Sequence, residues 1–414
     1  MHMKSLRTLV TAILLIAALL VSGMASAEKT IVLTFTGDVT LGGPDNETNN
    51  PDSFENTAKD KGYDYFFADF KEMFEKDDLT VINLEGPLTD VFADRARNKT
   101  HVFRGAQDLA KILPLSGVDA ASLSNNHITD YGKQGERRTK ETLDLSGVHW
   151  FQDFEYYLFE KDGIRIALFA LQKSVLFTQR PKFLSKIQEA REKDNANAVV
   201  VCWHAGTEYR RFHDPDVERD ATNLIKDGGV DLIIINHPHV AQGMAVVNNR
   251  SVFYSLGNFV FGGNRNIRTG KNPGDPLIIS LYALVVQARL TFTDEGRYLG
   301  QQTTIYPVFT SSSQPDYQPA QVLTEKVLNI TNNYQPMRLT LKQAEAVYKI
   351  FREDTNFDLP KMTEKNGLAR IDMPYLPAFD GVMLPEDEDS AGPVGMPEAS
   401  SPKPTRESKD NAGN

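Results

Sequence analysis

Four of the eight histidines in this 414-residue chain stand in short polar clusters, each placed directly after an apolar run. His127 closes Ser124-Asn125-Asn126-His127 and is followed by Asp130-Tyr131-Gly132. His204 opens His204-Ala205-Gly206-Thr207-Glu208, and His237 and His239 flank Pro238. Gly37-Asp38, Asn83-Leu84-Glu85-Gly86-Pro87 and Gly257-Asn258-Phe259 hold equivalent places after three further runs. Neutral imidazoles with carboxylates and amide oxygens suit one or two divalent transition ions such as manganese, zinc, iron or cobalt; calcium prefers oxygen-only shells. Taken singly, a Gly-Asp after a strand is a common turn, asparagines cap loops, and a lone histidine is more often a hydrogen-bonded structural residue. The recurrence of such residues at six strand ends is what points to a site. His-Pro-His is the strongest element, because its imidazoles straddle a residue of fixed φ and can face two ions. The single cysteine, Cys202, excludes an intramolecular disulfide or a zinc knuckle, and beside Trp203 in an apolar run it reads as core. His101, His149 and His213 have no motif around them and read as surface or structural residues.

The elements that must position these residues are legible as a pattern. Apolar runs at 30–36, 79–84, 118–123, 164–171, 198–203, 230–235 and 252–256 alternate with amphipathic stretches at 63–76, 134–145, 181–193 and 217–226. Near-continuous apolar strands joined by helices imply sheets covered on both faces. In open α/β sheets the loops beyond the carboxyl ends of the strands form the ligand crevice, so the six clusters are expected to converge. Beyond 272 the runs 277–292 and 302–309 read as an antiparallel edge or second sheet, and 323–354 reads as helical with a break at Pro336.

Composition sets the outer limits. The chain is 41% apolar and 24% charged, the balance of a globular protein, and its net charge of −10 without a basic block disfavours nucleic acid as a partner. Lys4, Arg7, an apolar stretch at 9–21 and Ala25-Ser26-Ala27 predict a cleaved signal over 1–27 and an extracytoplasmic, periplasmic or secreted protein. The alternative, an anchor through 9–21, is shorter than the ~20 residues of a spanning helix, so no stable membrane span is expected after cleavage. The expected organisation is a main domain over 28–310, a partly helical extension over 311–384, and a disordered tail over 385–414, where five prolines and the acids at 386–389 accompany no aromatic residue.

The ordered blocks Gly37-Asp38, Asn83-Leu84-Glu85, Asn125-Asn126-His127 with Asp130-Tyr131-Gly132, His204 with Gly206 and Glu208-Tyr209, His237-Pro238-His239 and Tyr254-Ser255-Leu256-Gly257-Asn258-Phe259 resemble the CapA family of bacterial capsule-synthesis proteins linked to poly-γ-glutamate. That family is in turn similar to the calcineurin-like metallophosphoesterases. The resemblance implies an α/β fold, a four-layer α/β/β/α sandwich of two mixed sheets. It also implies Asp38 and His239 on a first metal, Asn126, His204 and His237 on a second, and Glu85 bridging them. His127 would then be the proton donor, oriented and raised in pKa by Asp130, with Asn83, Asn125, Glu208 and Asn258 as further site residues. Thr40 stands where metallophosphoesterases usually carry a histidine, which makes the first metal site poorer by one ligand, and the bridging residue is a glutamate where they carry aspartate. Two functions follow: a metal-dependent hydrolase acting on a phosphoester or capsule-type polymer, or a non-catalytic envelope factor that binds or helps export an anionic polymer. Other capsule-synthesis components are expected partners, and Arg210, Arg211, Arg265 and Arg268 would supply a basic groove.

Overall fold

The computed structural model describes residues 28–44, 46, 49–270, 278–313 and 328–379; the signal segment and the acidic tail lie outside them. In chain order the principal elements are β1 (Lys29–Thr40), β2 (Leu79–Leu84), β3 (Ala120–Ser122), α1 (Gly132–Leu145), β4 (His149–Phe151), β5 (Tyr157–Lys161), β6 (Ile164–Gln172), α2 (Lys173–Glu192), β7 (Ala198–His204), α3 (Pro215–Lys226), β8 (Leu232–Asn236), β9 (Met244–Val247), β10 (Arg250–Phe253), β11 (Asn258–Phe261), β12 (Tyr282–Phe292), β13 (Tyr298–Phe309), α4 (Leu341–Glu353) and β14 (Leu368–Asp372). One sheet runs β14-β13-β12-β1-β2-β3-β4, with β11 returning beside the end of β1; the other runs β9-β10-β8-β7-β6-β5. Both are mixed. β1 to β4 are mutually parallel while β12 and β13 are antiparallel, and the parallel set β10, β8, β7, β6 is flanked by antiparallel β9 and β5.

The period-2 alternation of the strands builds the layers. Ile166, Leu168 and Ala170 face inward and join Leu33, Val81 and Leu284 in a core between the sheets. Their neighbours Ala167, Phe169 and Leu171 face outward and pack with Phe183 of α2 and Leu224 of α3. On the far side Ile82, Leu84 and Val285 pack with Leu143 of α1 and with Phe54 and Phe74 of two short helices, Phe54–Lys61 and Lys71–Phe74. The result is the four-layer α/β/β/α sandwich of two mixed sheets.

A repeated device opens the parallel strands. Asp78 donates its N–H to the Val32 carbonyl and accepts the Val32 N–H on its carboxylate at 2.7 Å, and Asp119 does the same with Thr80, Asn197 with Arg165, and Asp231 with Val199. Each side chain satisfies a strand-end donor that has no ladder partner. This explains why β3 and β8 begin two residues later than the apolar runs at 118 and 230: Asp119 and Asp231 are caps.

Three expectations are corrected. The stretch 63–76 is helical only over Lys71–Phe74, because Phe66, Phe67 and Phe70 are buried from successive turns. Of the long runs after 272, Ile278–Ile279 joins a separate three-stranded antiparallel sheet with Asn266–Gly270 and Leu328–Thr331, but β12, antiparallel as expected, pairs with β1 from Lys29–Phe292 to Phe35–Val286 in the middle of the first sheet. In 323–354, Leu328–Thr331 and Met337–Arg338 are strands and the helix starts only at Leu341, where Thr340 and Gln343 form a capping box. No helix among the described residues is long and apolar enough to cross a membrane.

Candidate metal centre

The six clusters meet at the carboxyl ends of both sheets. Asp38 is aimed there by a break in register of β1 between Phe35 and Asp38, which is how a bulge redirects a side chain. Gly37 permits the approach: a Cβ on it would lie 2.3 Å from the Gly257 carbonyl oxygen, which accepts the Asp38 N–H at 2.8 Å. The second sheet is tied across by Asn236, whose amide donates to the Thr36 carbonyl at 3.4 Å. His237 and His239 both have positive φ, 107° and 57°. Such backbone is costly for residues with a Cβ and is found where the surroundings impose it, typically at functional sites.

Three groups of residues have ligand atoms mutually within 4.8 Å: Asp38, Glu85 and His239; Glu85, His204 and His237; and Glu208, His237 and His239. Glu85 belongs to two of them, and His127, His204 and His239 each place Nε2 at 3.8 Å from its Oε1. Asn126 Oδ1 lies 2.9 Å from His204 Nε2. Glu85 is fully buried, yet neither carboxylate oxygen has a hydrogen-bond partner among the described residues, and the same holds for His237 Nδ1. Orphaned buried groups of this kind are rare and costly. Burial first, then the Asp38 charge, push the Glu85 carboxyl well above the usual carboxylate range. His204 is held well below the ordinary imidazole value by burial and then by His237 and His239, and His237 falls to about 4 for the same kind of reason. His239 goes the other way: burial opposes its charge, but Glu85 and Asp38 outweigh it.

Around this centre the remaining polar groups are tied. Asn83 donates to Asp38 Oδ1 at 2.7 Å, Asn125 donates to Asn83 Oδ1 at 3.3 Å and to the Leu84 carbonyl at 2.8 Å, and Asn258 Oδ1 sits 2.8 Å from His239 Nδ1. These asparagines orient neighbours. Glu208 is exposed at the rim. Thr40 does not face the centre as a substitute ligand; its hydroxyl donates to the Glu85 carbonyl at 2.8 Å and so holds the glutamate loop.

His127 stacks on Phe103 at 4.2 Å and points Nδ1 at Asp130 Oδ2, 2.7 Å away. Its pKa is lowered, contrary to the expectation from Asp130 alone, because burial outweighs that carboxylate. Asp130 is shared: Lys99 donates to its Oδ1 at 2.6 Å, to the Asn126 carbonyl at 2.7 Å, and lies 3.0 Å from His127 Nδ1. Sequence reasoning missed Lys99, which sits in an irregular loop with no motif. It also left His213 aside; that ring stacks on Tyr254 at 3.8 Å and bonds Asp354 at 2.9 Å, fastening the end of α4 beside the 205–214 loop. The expected basic groove is already neutralised, with Arg210 on Asp214, Arg211 on Glu353 and Arg265 on Asp52; the Arg268 side chain lies outside the described residues. Cys202 is buried in the inter-sheet core, its thiol pushed up to about 12 by burial.

Comparison with known proteins gives a family match over the part of the chain that holds these blocks. Residues 32–263 match the family model of the bacterial capsule synthesis protein PGA_cap. The chain is 30% identical over 257 residues to the PGA biosynthesis protein CapA of Bacillus subtilis, an alignment covering 57% of this chain and 64% of that one. It is 30% identical over 258 residues to the capsule biosynthesis protein CapA of Bacillus anthracis, covering 56% and 60%. The chain thus spans less than two thirds of the length of either relative. Among solved structures, a phosphatase from Mycoplasma pneumoniae aligns with a TM-score of 0.41 at 13% identity, over 72% of this chain and all of that one. The calcineurin-like phosphoesterase YfkN of Bacillus subtilis aligns with a TM-score of 0.35 at 15% identity, over 66% and 88%. At those scores the likeness adds nothing to the strand order and layers described above.

Proposed function

From the premise that the chain belongs to the bacterial capsule synthesis protein PGA_cap family, we propose that it is an exported, divalent-metal-dependent hydrolase of capsule polymer metabolism, acting on a phosphoester or a γ-glutamyl polymer. The observation that carries this reading is Glu85, a fully buried carboxylate without a partner among the described residues, surrounded by three imidazoles and Asp38. A buried charge persists when a cation completes it. Asp38, Glu85 and His239 fit one ion, and Glu85, Asn126, His204 and His237 fit a second, with Glu208 in reach of the His237–His239 side. Bound there, a divalent ion would acidify a water and polarise the bond to be cleaved.

The chain's own residues supply the rest. Asn83 and Asn258 fix Asp38 and His239, so the acceptor atoms are aimed before anything binds. His127 is fixed by Asp130 on Nδ1, which leaves Nε2 toward the centre as the atom that delivers a proton to a leaving group. Lys99 holds the Asn126–Asp130 loop through the Asn126 carbonyl and the Asp130 carboxylate and so sets the direction of that imidazole. His239 and Glu85 both hold protons more tightly in the free protein than in water, so metal uptake should release protons and weaken in acid.

Elemental analysis of the purified chain, combined with a turnover screen on phosphomonoesters, phosphodiesters and γ-linked glutamate oligomers with and without chelator, tests the proposal. Bound metal with chelator-sensitive turnover is expected. Metal and polymer binding without turnover on any of these would replace the hydrolase by a non-catalytic envelope factor.

A further inference from the structure

On the buried side of the centre His239 is grouped with Asp38 and Glu85, while the Thr40 hydroxyl is spent on the Glu85 carbonyl. A second group joins His239 and His237 to Glu208, which is exposed. An exposed glutamate serves as a firm ligand only where its backbone is held, because ordering a long free side chain opposes binding. The 205–214 loop that carries it, between β7 and α3, is held at two levels. Near the centre it lies on Pro238: the Tyr209 N–H donates to the Pro238 carbonyl at 2.8 Å, and a Cβ on Gly206 would lie 3.0 Å from the proline ring. The Tyr209 ring sits 5.6 Å from that of His239, and its backbone has a φ of 58°, a left-handed conformation that these contacts impose.

At its far end the loop is fastened to the end of α4. Arg211 pairs with Glu353, and Asp354 accepts the His213 N–H at 3.2 Å and stands 2.9 Å from His213 Nδ1. Asp354 Oδ2 also accepts the Gly243 N–H at 2.8 Å, from the segment that follows His237-Pro238-His239. A Cβ on Gly243 would lie 2.2 Å from the Asp354 carbonyl oxygen, so the two backbones are in contact. Asp354 is 6% exposed and caps the carboxyl end of α4, where the helix dipole disfavours a negative charge. Hydrogen bonds from both ligand-bearing segments offset that cost, so the carboxylate serves them and not its own helix. α4 lies beyond residue 263, where the family match stops.

We propose that Asp354 is a positioning residue for the metal centre: by clamping the 205–214 loop to the segment after His239, it holds Glu208 in place as a metal ligand with His237 and His239. The inference rests on the metal-dependent reading above, and it gives that centre a ligand from its exposed side and a support from outside the matched stretch.

The test is titration calorimetry of the full, metal-stripped chain with manganese or zinc alone, on wild type, Glu208→Gln, Asp354→Asn and the double variant. Glu208→Gln should weaken one binding event about 10- to 100-fold, and Asp354→Asn about tenfold. Because Asp354 acts through Glu208, the double variant should bind as Glu208→Gln does, whereas a merely structural role would add the two losses. Asparagine keeps the size and one acceptor oxygen of Asp354. Should that variant fail to fold, Arg211→Gln loosens the same loop from Glu353 at a partly exposed position, and should cost about two- to threefold only while Glu208 is present. Wild-type affinity in Glu208→Gln overturns the ligand, and additive losses overturn the positioning; either result leaves the reading of the buried groups standing. A wild-type chain that takes up neither ion overturns the metal reading, and this inference with it.

Discussion

The two ends of the same strands carry similar residues in opposite states. At the amino ends Asp78, Asp119 and Asp231 are buried or half-buried carboxylates, and each accepts a backbone N–H; Asp231 also faces Arg191 and, at 3.0 Å, Arg250. At the carboxyl ends Glu85 is fully buried and accepts no hydrogen bond among the described residues. The first set spends its hydrogen-bonding capacity on the fold, and the second leaves it unspent among the described residues. Asp77 blurs the contrast: it stands at the amino ends with one oxygen unpartnered among the described residues, and burial, against Thr34 and Thr80, lifts its carboxyl to about 7.

The sharpest way to break this comparison is Glu85→Gln. Metal uptake and turnover should be lost together, yet the metal-free protein should melt higher, because a costly buried charge is gone. Elemental analysis and calorimetric melting read both signs, and a lower melting temperature would place Glu85 with the structural acids. Next, His127→Ala should retain its metal and lose about 10²- to 10⁴-fold in turnover, least on substrates with good leaving groups. Loss of metal in that variant would make His127 a ligand instead of a proton donor. At the opposite ends, Asp231→Ala should cost roughly 3–5 kcal/mol, as a broken buried ion pair does, with metal content per folded molecule unchanged. Denaturant unfolding measures it.

The smallest expected effect concerns pH. Burial lowers the His213 pKa, but its hydrogen bond to Asp354 and the charges of Asp354 and Glu218 outweigh this, and the net direction is up. A raised folded-state pKa means the pair's contribution is fully present below the unfolded imidazole value near 6.5 and fades as pH rises through the higher folded value. Asp354→Asn should therefore reduce stability in mild acid and converge on wild type in alkali. Parallel melting curves across that window would show it, and a constant difference at every pH would mean that His213 is not the titrating group.

The layers and the meeting of the six loops were legible because they depend on alternation and on strand polarity, both of which are local patterns. The boundaries at Asp119 and Asp231 were less so, since a cap that bonds two ways to a neighbouring strand is a long-range event with no periodicity of its own. The burial of Phe66, Phe67 and Phe70 from turns defeated a helical reading for the same reason: their spacing fits a helix, but the packing partners decide. In the site, residue types were readable and their states were not. That Thr40 would spend its hydroxyl on the Glu85 carbonyl, or that burial would outweigh Asp130 at His127, follows only from which groups end up adjacent.

The pairing of Asp38 with Asn258 across the Gly37–Gly257 contact has a consequence for how the molecule is made. A strand near the start of the domain cannot finish aiming its carboxylate until a segment more than half the chain away has arrived, and contacts of such high sequence separation form late. A chain emerging in order therefore passes through more than half of its length before the Asp38, Glu85 and His239 group can form. Only the molecule that has joined both sheets brings Asp38 and Glu85 to His239, and Glu85 to His204 and His237, so those two of the three ligand groups are completed late in folding.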